Sequence, residues 1–157
     1  MAWSASAMFR AAITDMVKRT AAMDLDGDTF KAALFNNSIT PDKDATSANS
    51  AYNAGAWVNS SNEVYQVGQW AQGGVALSSV TVSNPASGVM MFDAADTASG
   101  SAATLASVYG CLIYDDTLTT PVADQGLCFN YFGGSQSVTS GTLTVVWSAN
   151  GIARITA

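Results

Sequence analysis

The sequence predicts a mainly β protein, an antiparallel β-sandwich or jelly-roll-like domain preceded by an N-terminal amphipathic helix or arm. Roughly seven or eight short apolar runs follow one another at spacings of about 10 to 15 residues, separated by turn-forming residues. Helical periodicity is convincing in only one stretch, near the N-terminus. Two strongly apolar runs late in the chain predict a buried pair of strands. We therefore expect a helical arm at residues 1–27 and a β-domain at residues 28–157.

The buried pair of strands is predicted at residues 108–114 and 126–132, where Tyr, Cys, Leu, Ile and Phe dominate. Such a composition is typical of strands that pack on both faces. Cys111 and Cys128 lie one in each run. We expect buried free thiols that act as small hydrophobic groups, and a cross-strand disulfide only if the two Cβ atoms come within about 4.5 Å.

The N-terminal helix is predicted over residues 5–22, with Ser4 or Ser6 as its cap. Lys18 and Arg19 lie near its C-terminus, where positive charge is favourable. One apolar face is formed by residues at the spacing i, i+4, i+7 and i+8, namely Phe9, Ile13, Met16 and Val17.

An aspartate-rich turn at residues 24–28 ends the predicted helix. It differs from an EF-hand calcium loop because Gly27 precedes Asp28 and no glutamate follows at the required distance. We interpret it as a helix-to-strand turn.

The remaining elements are predicted from alternation and from turn residues. A first strand at residues 30–39 is followed by a polar loop at 40–53, which we expect at an interface or rim because of its length. Aromatic residues mark segments 57–60 and 63–70. Later strands are predicted at residues 75–83, 88–93, 142–147 and 152–155. The first of them is interrupted by a bulge or short turn at 78–79. Asn150-Gly151, between the last two, is predicted to form either a hairpin turn or a bulge.

Charge is scarce and unevenly distributed. The net charge is -6, charged residues make up 11% of the chain, and no basic residue occurs between Lys43 and Arg154. This pattern argues against nucleic acid as a partner, because binding to phosphates requires clustered Lys and Arg. Depletion of charge is typical of protein interfaces, so we expect a homo-oligomer. The alternative is a monomer with a hydroxyl-rich surface, as in many β-sandwiches.

No secretory signal is recognisable at the N-terminus, and no apolar run approaches the roughly 20 residues of a membrane span. We expect a soluble protein that is made in the cytoplasm and does not enter a membrane.

Catalytic motifs are also missing. The chain has no histidine and no nucleophile, phosphate-loop or dinucleotide motif. Asp115-Asp116 follows a predicted strand and is interpreted as a solvated turn rather than half of a glycosidase pair. We expect no enzymatic activity, no cofactor and no metal site.

The tryptophans and tyrosines allow two interpretations. Trp57 and Trp70 could form a platform for sugar rings, but aromatic residues more often fill a core or a subunit contact, which is the interpretation we favour. The residues predicted to form an interface are Trp3, Phe9, Ile13, Met16, Val17, Tyr52 and Trp57.

Several segments together resemble a family of small virion structural proteins of tailed bacteriophages. One of these segments is YGCLIYDD at residues 109–116, and the resemblance extends over roughly residues 28–157. The other segments that carry it are residues 31–35, 40–52, 63–64, 129–133 and 144–152.

The resemblance implies a non-enzymatic capsid decoration or cement protein. It implies location on the capsid surface of a virion, with synthesis in the host cytoplasm, and oligomeric binding, favouring a trimer, to the major capsid protein or a neighbouring virion subunit. In this hypothesis the arm lies on the shell and buries Phe9, Ile13 and Met16 there. The alternatives are a tail, collar or head-fibre component, and a carbohydrate-binding β-module.

Overall fold

A computed structural model describes residues 3–157 and confirms the mainly β class, with every strand pair antiparallel. The two helices are α1 (Arg10–Lys18) and α2 (Ser47–Ser50). The strands are β1 (Ala7–Met8), β2 (Phe30–Phe35), β3 (Val75–Ala76), β4 (Thr81–Ala86), β5 (Val89–Asp93), β6 (Thr97–Ala98), β7 (Ala103–Asp115), β8 (Gly126–Gly141), β9 (Thr144–Val145) and β10 (Ala153–Thr156).

The strands form three sheets. The largest has the order β1-β8-β7-β2-β3, a three-stranded sheet has the order β10-β5-β4, and β6 pairs with β9. Phe92 on β5 packs edge-to-face on Phe30 of β2, with ring centroids 5.1 Å apart. Both rings are fully buried, so this contact joins the two larger sheets in a sandwich-like arrangement.

The predicted central pair is confirmed. Strands β7 and β8 contain both predicted runs and extend beyond them, and β2 pairs with the C-terminal half of β7 from Phe30 opposite Asp115 to Phe35 opposite Gly110. Cys111 and Cys128 are free and buried. Cys128 lies opposite Ile113 rather than Cys111, which keeps the two thiols out of direct register.

Two predictions about the later strands are wrong in detail. The run at residues 75–83 divides between two sheets, with β3 in the five-stranded sheet and β4 in the three-stranded one. Ser79 lies between them with a positive φ of 52°, at the place of the predicted bulge or short turn. Strand β4 extends past the predicted end at residue 83 to Ala86, and Pro85 lies within it, because β4 is an edge strand where a missing N–H is tolerated. Strands β9 and β10 belong to different sheets, so Asn150-Gly151 forms neither a hairpin between them nor a bulge.

The N-terminal helix is shorter than predicted. Ala7–Met8 is a strand that pairs with Cys128 and Phe129 on β8, and the helix begins after Phe9, which supplies no side-chain cap. The predicted caps Ser4 and Ser6 therefore lie outside the helix. It ends at Arg19, which adopts a left-handed conformation. The predicted loop at residues 40–53 contains α2, which Thr46 caps by accepting the N–H of Asn49.

Candidate interaction surface and binding groove

Three residues predicted to form an interface are buried in the core of their own chain. Trp3, Phe9 and Trp57 are 1%, 0% and 1% exposed, and their rings contact one another at centroid distances of about 6 Å. The prediction of a partner contact for these three residues is therefore wrong. Their side chains are already buried within their own chain and leave almost no surface for a partner.

Two glycines of the central pair explain how the core accepts the N-terminal segment. A Cβ atom at Gly110 would lie 2.6 Å from the ring of Trp3, and one at Gly126 would lie 2.7 Å from the ring of Phe9. The absence of a side chain at each glycine leaves a space that the aromatic ring fills. Trp3 is fixed further by its indole N–H, which donates to the carbonyl of Asn36 at 2.8 Å.

The remaining predicted residues of the arm have different environments. Ile13 and Met16 are half-buried, and Met16 packs on the core. Val17 is 79% exposed. The helix is held by Asp15, whose carboxylate accepts from Ser47 Oγ at 2.6 Å and from Gln125 Nε2 at 2.9 Å. These hydrogen bonds, with that of Ser47 the strongest influence, lower the pKa of Asp15.

Tyr52 belongs to a buried network that holds the loops together. Its ring stacks on Tyr114, with centroids 4.9 Å apart, and its hydroxyl donates to Glu63 at 2.7 Å. Glu63 also accepts the N–H of Gly73, and the hydroxyl of Tyr114 donates to the Gly73 carbonyl. Burial raises the pKa of Tyr52 to about 12 and raises the pKa of Glu63 as well. We interpret these groups as structural.

Asp115 is fully buried, which contradicts the predicted solvated turn at this residue. Its Oδ1 accepts the N–H groups of Thr117 and Leu118, whereas its buried Oδ2 has no hydrogen-bond partner among the described residues. Burial first, and the neighbouring Asp28 second, raise the pKa of Asp115 to about 6. Asp116 remains at the surface and forms an ion pair with Lys31 at 2.9 Å.

Within residues 3–157, no three His, Cys, Asp or Glu side chains lie close enough to hold a metal ion. The same described part of the chain contains no helix long and apolar enough to cross a membrane.

Strand β4, the outer strand of the β4–β5 hairpin, is an exposed element. All but one residue of β4 is exposed, so both faces of this edge strand are accessible. Val82 on β4 is 38% exposed, and residues 64–92 carry no charge. The uncharged run at residues 64–92 is the feature of the sequence that marks this surface. It does not distinguish an exposed strand from a buried one.

A groove of about 460 Å³ lies between β8 and residues 143–148, which include β9. Tyr131, Phe132 and Trp147 line it, and no lining residue is charged. Trp57 and Trp70, the predicted sugar platform, are buried instead, so the favoured core interpretation is confirmed for them. Sequence reasoning missed the groove because its walls come from residues about 15 positions apart.

No protein-family model, curated protein or solved structure matches this chain.

Proposed function

We propose that this protein is a non-enzymatic structural component of a bacteriophage virion, most specifically a capsid decoration or cement protein. The single observation that carries this proposal is the exposed, uncharged edge strand β4 on a charge-poor β-domain. Depletion of charge is the compositional mark of the centre of a protein interface. The resemblance to small virion proteins supports the same assignment.

In this proposal the hairpin, rather than the N-terminal arm, makes the contact between subunits. Strand β4 has unpaired backbone groups along its outer side, since β5 is its only neighbour in the described sheet. Pro85 lacks an N–H and limits pairing to the first half of the strand, around Val82. Copies arranged about a symmetry axis would cover this edge and bind the major capsid protein as a homo-oligomer.

Many weak contacts of this kind suffice on a capsid. Each copy that is tethered to its neighbours binds the shell with a raised effective concentration, so the assembled layer is more stable than any single contact. No buried ion pair is required at such a surface, which agrees with the scarcity of basic residues after Lys43.

Quantitative mass spectrometry of purified particles tests the proposal. We expect about one copy, or about one third of a copy, for each major capsid subunit, as a symmetric shell-wide layer requires. A ratio of a few per cent would place the protein in the tail, collar or head fibre. Its absence from particles would contradict any virion role.

A further inference from the structure

The groove beside β8 has a lining that indicates a particular class of ligand. We propose that it is a binding site for a neutral oligosaccharide. The side chains that carry this proposal are three aromatic and three uncharged polar ones, namely Tyr131, Phe132, Trp147, Asn130, Gln136 and Thr144.

Two of the aromatic rings are held in place before any ligand binds. Tyr131 stacks on the buried ring of Trp3, with centroids 6.2 Å apart and planes inclined by 19°. Trp147 donates its indole N–H to Thr97 Oγ1 at 3.2 Å, and its backbone N–H to Asp96 Oδ1 at 2.9 Å. Because these rings lose little freedom on binding, more of the contact energy is available for affinity.

The chemistry of the lining matches a sugar ring. The C–H groups on one face of a pyranose form an apolar surface that packs on an aromatic ring, while its hydroxyl groups require hydrogen-bond partners. Gln136 is exposed, and its amide can both donate and accept. Thr144 is also exposed and adds a hydroxyl group beside the aromatic side chains.

The absence of charged residues in the groove favours neutral saccharides over acidic ones. No charged residue lines the groove, and the chain has no basic residue between Lys43 and Arg154. An acidic sugar would leave its carboxylate or sulfate without an ionic partner in the groove, which is unfavourable. A neutral oligosaccharide has no such requirement.

The backbone of β8 argues against an extended peptide in the same groove. Between the pairs Gly110↔Tyr131 and Val108↔Gln136, β7 advances by two residues and β8 by five. This wide bulge interrupts the regular row of N–H and C=O groups that an added strand requires. Recognition through side chains is therefore favoured over strand addition.

The site is independent of the proposed virion role. Residues 81–93 of the hairpin do not line the groove, so both surfaces can be used at once. A volume of about 460 Å³ is within the range of small-ligand sites, about 300 to 1,000 Å³, and admits a short oligosaccharide.

The test is a two-dimensional NMR titration of the full chain with maltotriose, cellotriose and triacetylchitotriose, and with trigalacturonate as the acidic counterpart. We expect at least one neutral probe to shift the indole N–H of Trp147 and the amide of Tyr131, with a Kd of about 1 mM or tighter. Trp147→Ala and Gln136→Ala should each weaken that binding, the former by at least about tenfold. Val82→Ala, in the hairpin, is the matched control and should not change it.

Gln136→Ala keeps the test valid if Trp147→Ala fails to fold, because Gln136 is exposed and makes no side-chain hydrogen bond within the described residues. The proposal is overturned if none of the neutral probes shifts groove resonances, or if the shifts lie elsewhere on the domain. It is equally overturned if trigalacturonate or an uncharged Ser/Thr/Val peptide binds the groove and the neutral sugars do not.

Discussion

The N-terminal segment and the edge strand β4 both lie outside the central strand pair, yet they have opposite environments. Trp3 and Phe9 are buried against Gly110 and Gly126, whereas β4 is exposed on both faces. Apolar periodicity shows that side chains need to be buried, but it does not show which surface buries them. The N-terminal segment packs into the core, whereas strand β4 stays exposed.

The largest expected effect comes from removing the aromatic anchors of the N-terminal segment. Trp3→Ala and Phe9→Ala should each lower the free energy of unfolding by about 3 to 5 kcal/mol, because each leaves a cavity in the core. Urea unfolding measures this change. Val17→Ala, at an exposed position of the same segment, is the control and should stay within about 0.5 kcal/mol. Equal, small effects at all three positions would mean that the segment is not part of the core.

The two glycines that accept these rings should also be sensitive. Gly110→Ala and Gly126→Ala should each cost about 1 to 3 kcal/mol, since the added methyl group overlaps the ring of Trp3 or Phe9 and, more closely, the backbone carbonyl oxygen of Asn130 or Ser50. Gly141→Ala is a matched control on β8, where a Cβ atom meets nothing closer than Val138 Cγ2 at 3.0 Å. Thermal unfolding compares the three variants. If Gly141→Ala lowers the stability as much as the other two variants do, steric overlap at Gly110 and Gly126 is not the cause of their destabilisation.

Asp115 should make stability decrease as the pH rises. Its pKa is about 6 in the folded protein and near 3.8 when unfolded, so the folded state binds the proton more tightly. The stabilising contribution is present below about pH 4 and lost as the pH rises through about 6, by at most about 3 kcal/mol. Asp115→Asn should remove this loss and be more stable than the wild type at pH 7.

Asp15 provides the control of opposite sign for the pH measurement. Its pKa is lowered, so its contribution is present at neutral pH and is lost as the pH falls through the acidic range. Asp15→Asn should therefore destabilise the protein at pH 7. If Asp115→Asn also destabilises the protein at pH 7, the carboxylate stabilises the fold there and its pKa is not raised by burial.

The smallest expected effect on stability is at the hairpin. Val82→Lys should change the free energy of unfolding by no more than about 1 kcal/mol, because Val82 is partly exposed and a lysine reaches solvent. Chemical unfolding of the isolated protein checks this. A much larger loss would show that Val82 is needed for the fold itself and is unsuitable as a probe of assembly.

The sequence predicted the class of fold and its central pair because those features depend on local patterns. The apolar runs around Cys111 and Cys128 required burial on both faces, and only a central position provides it. The fate of Trp3 could not be predicted, since its partner Gly110 lies more than 100 residues away. The division of residues 75–83 between two sheets likewise depends on which neighbours each half meets in space.

The burial of Phe9 in its own chain could not be predicted for a related reason. A stripe formed by Phe9, Ile13 and Met16 has the same spacing whether it packs on its own domain or on a partner. Asp15 indicates which occurs here, because its hydrogen bonds to Ser47 and Gln125 hold the helix on the domain. Those contacts join distant parts of the chain and leave no pattern in the local sequence.

The most direct test of the account compares Val82→Lys with Val17→Lys, a matched pair of exposed valines in the hairpin and in the N-terminal segment. The oligomeric state by light scattering and the copy number in purified particles are measured for both variants. The account predicts that Val82→Lys prevents self-association and incorporation, because lysine blocks an edge strand, while Val17→Lys behaves as the wild type. Loss of assembly in Val17→Lys with full assembly in Val82→Lys would contradict it and restore the arm as the contact.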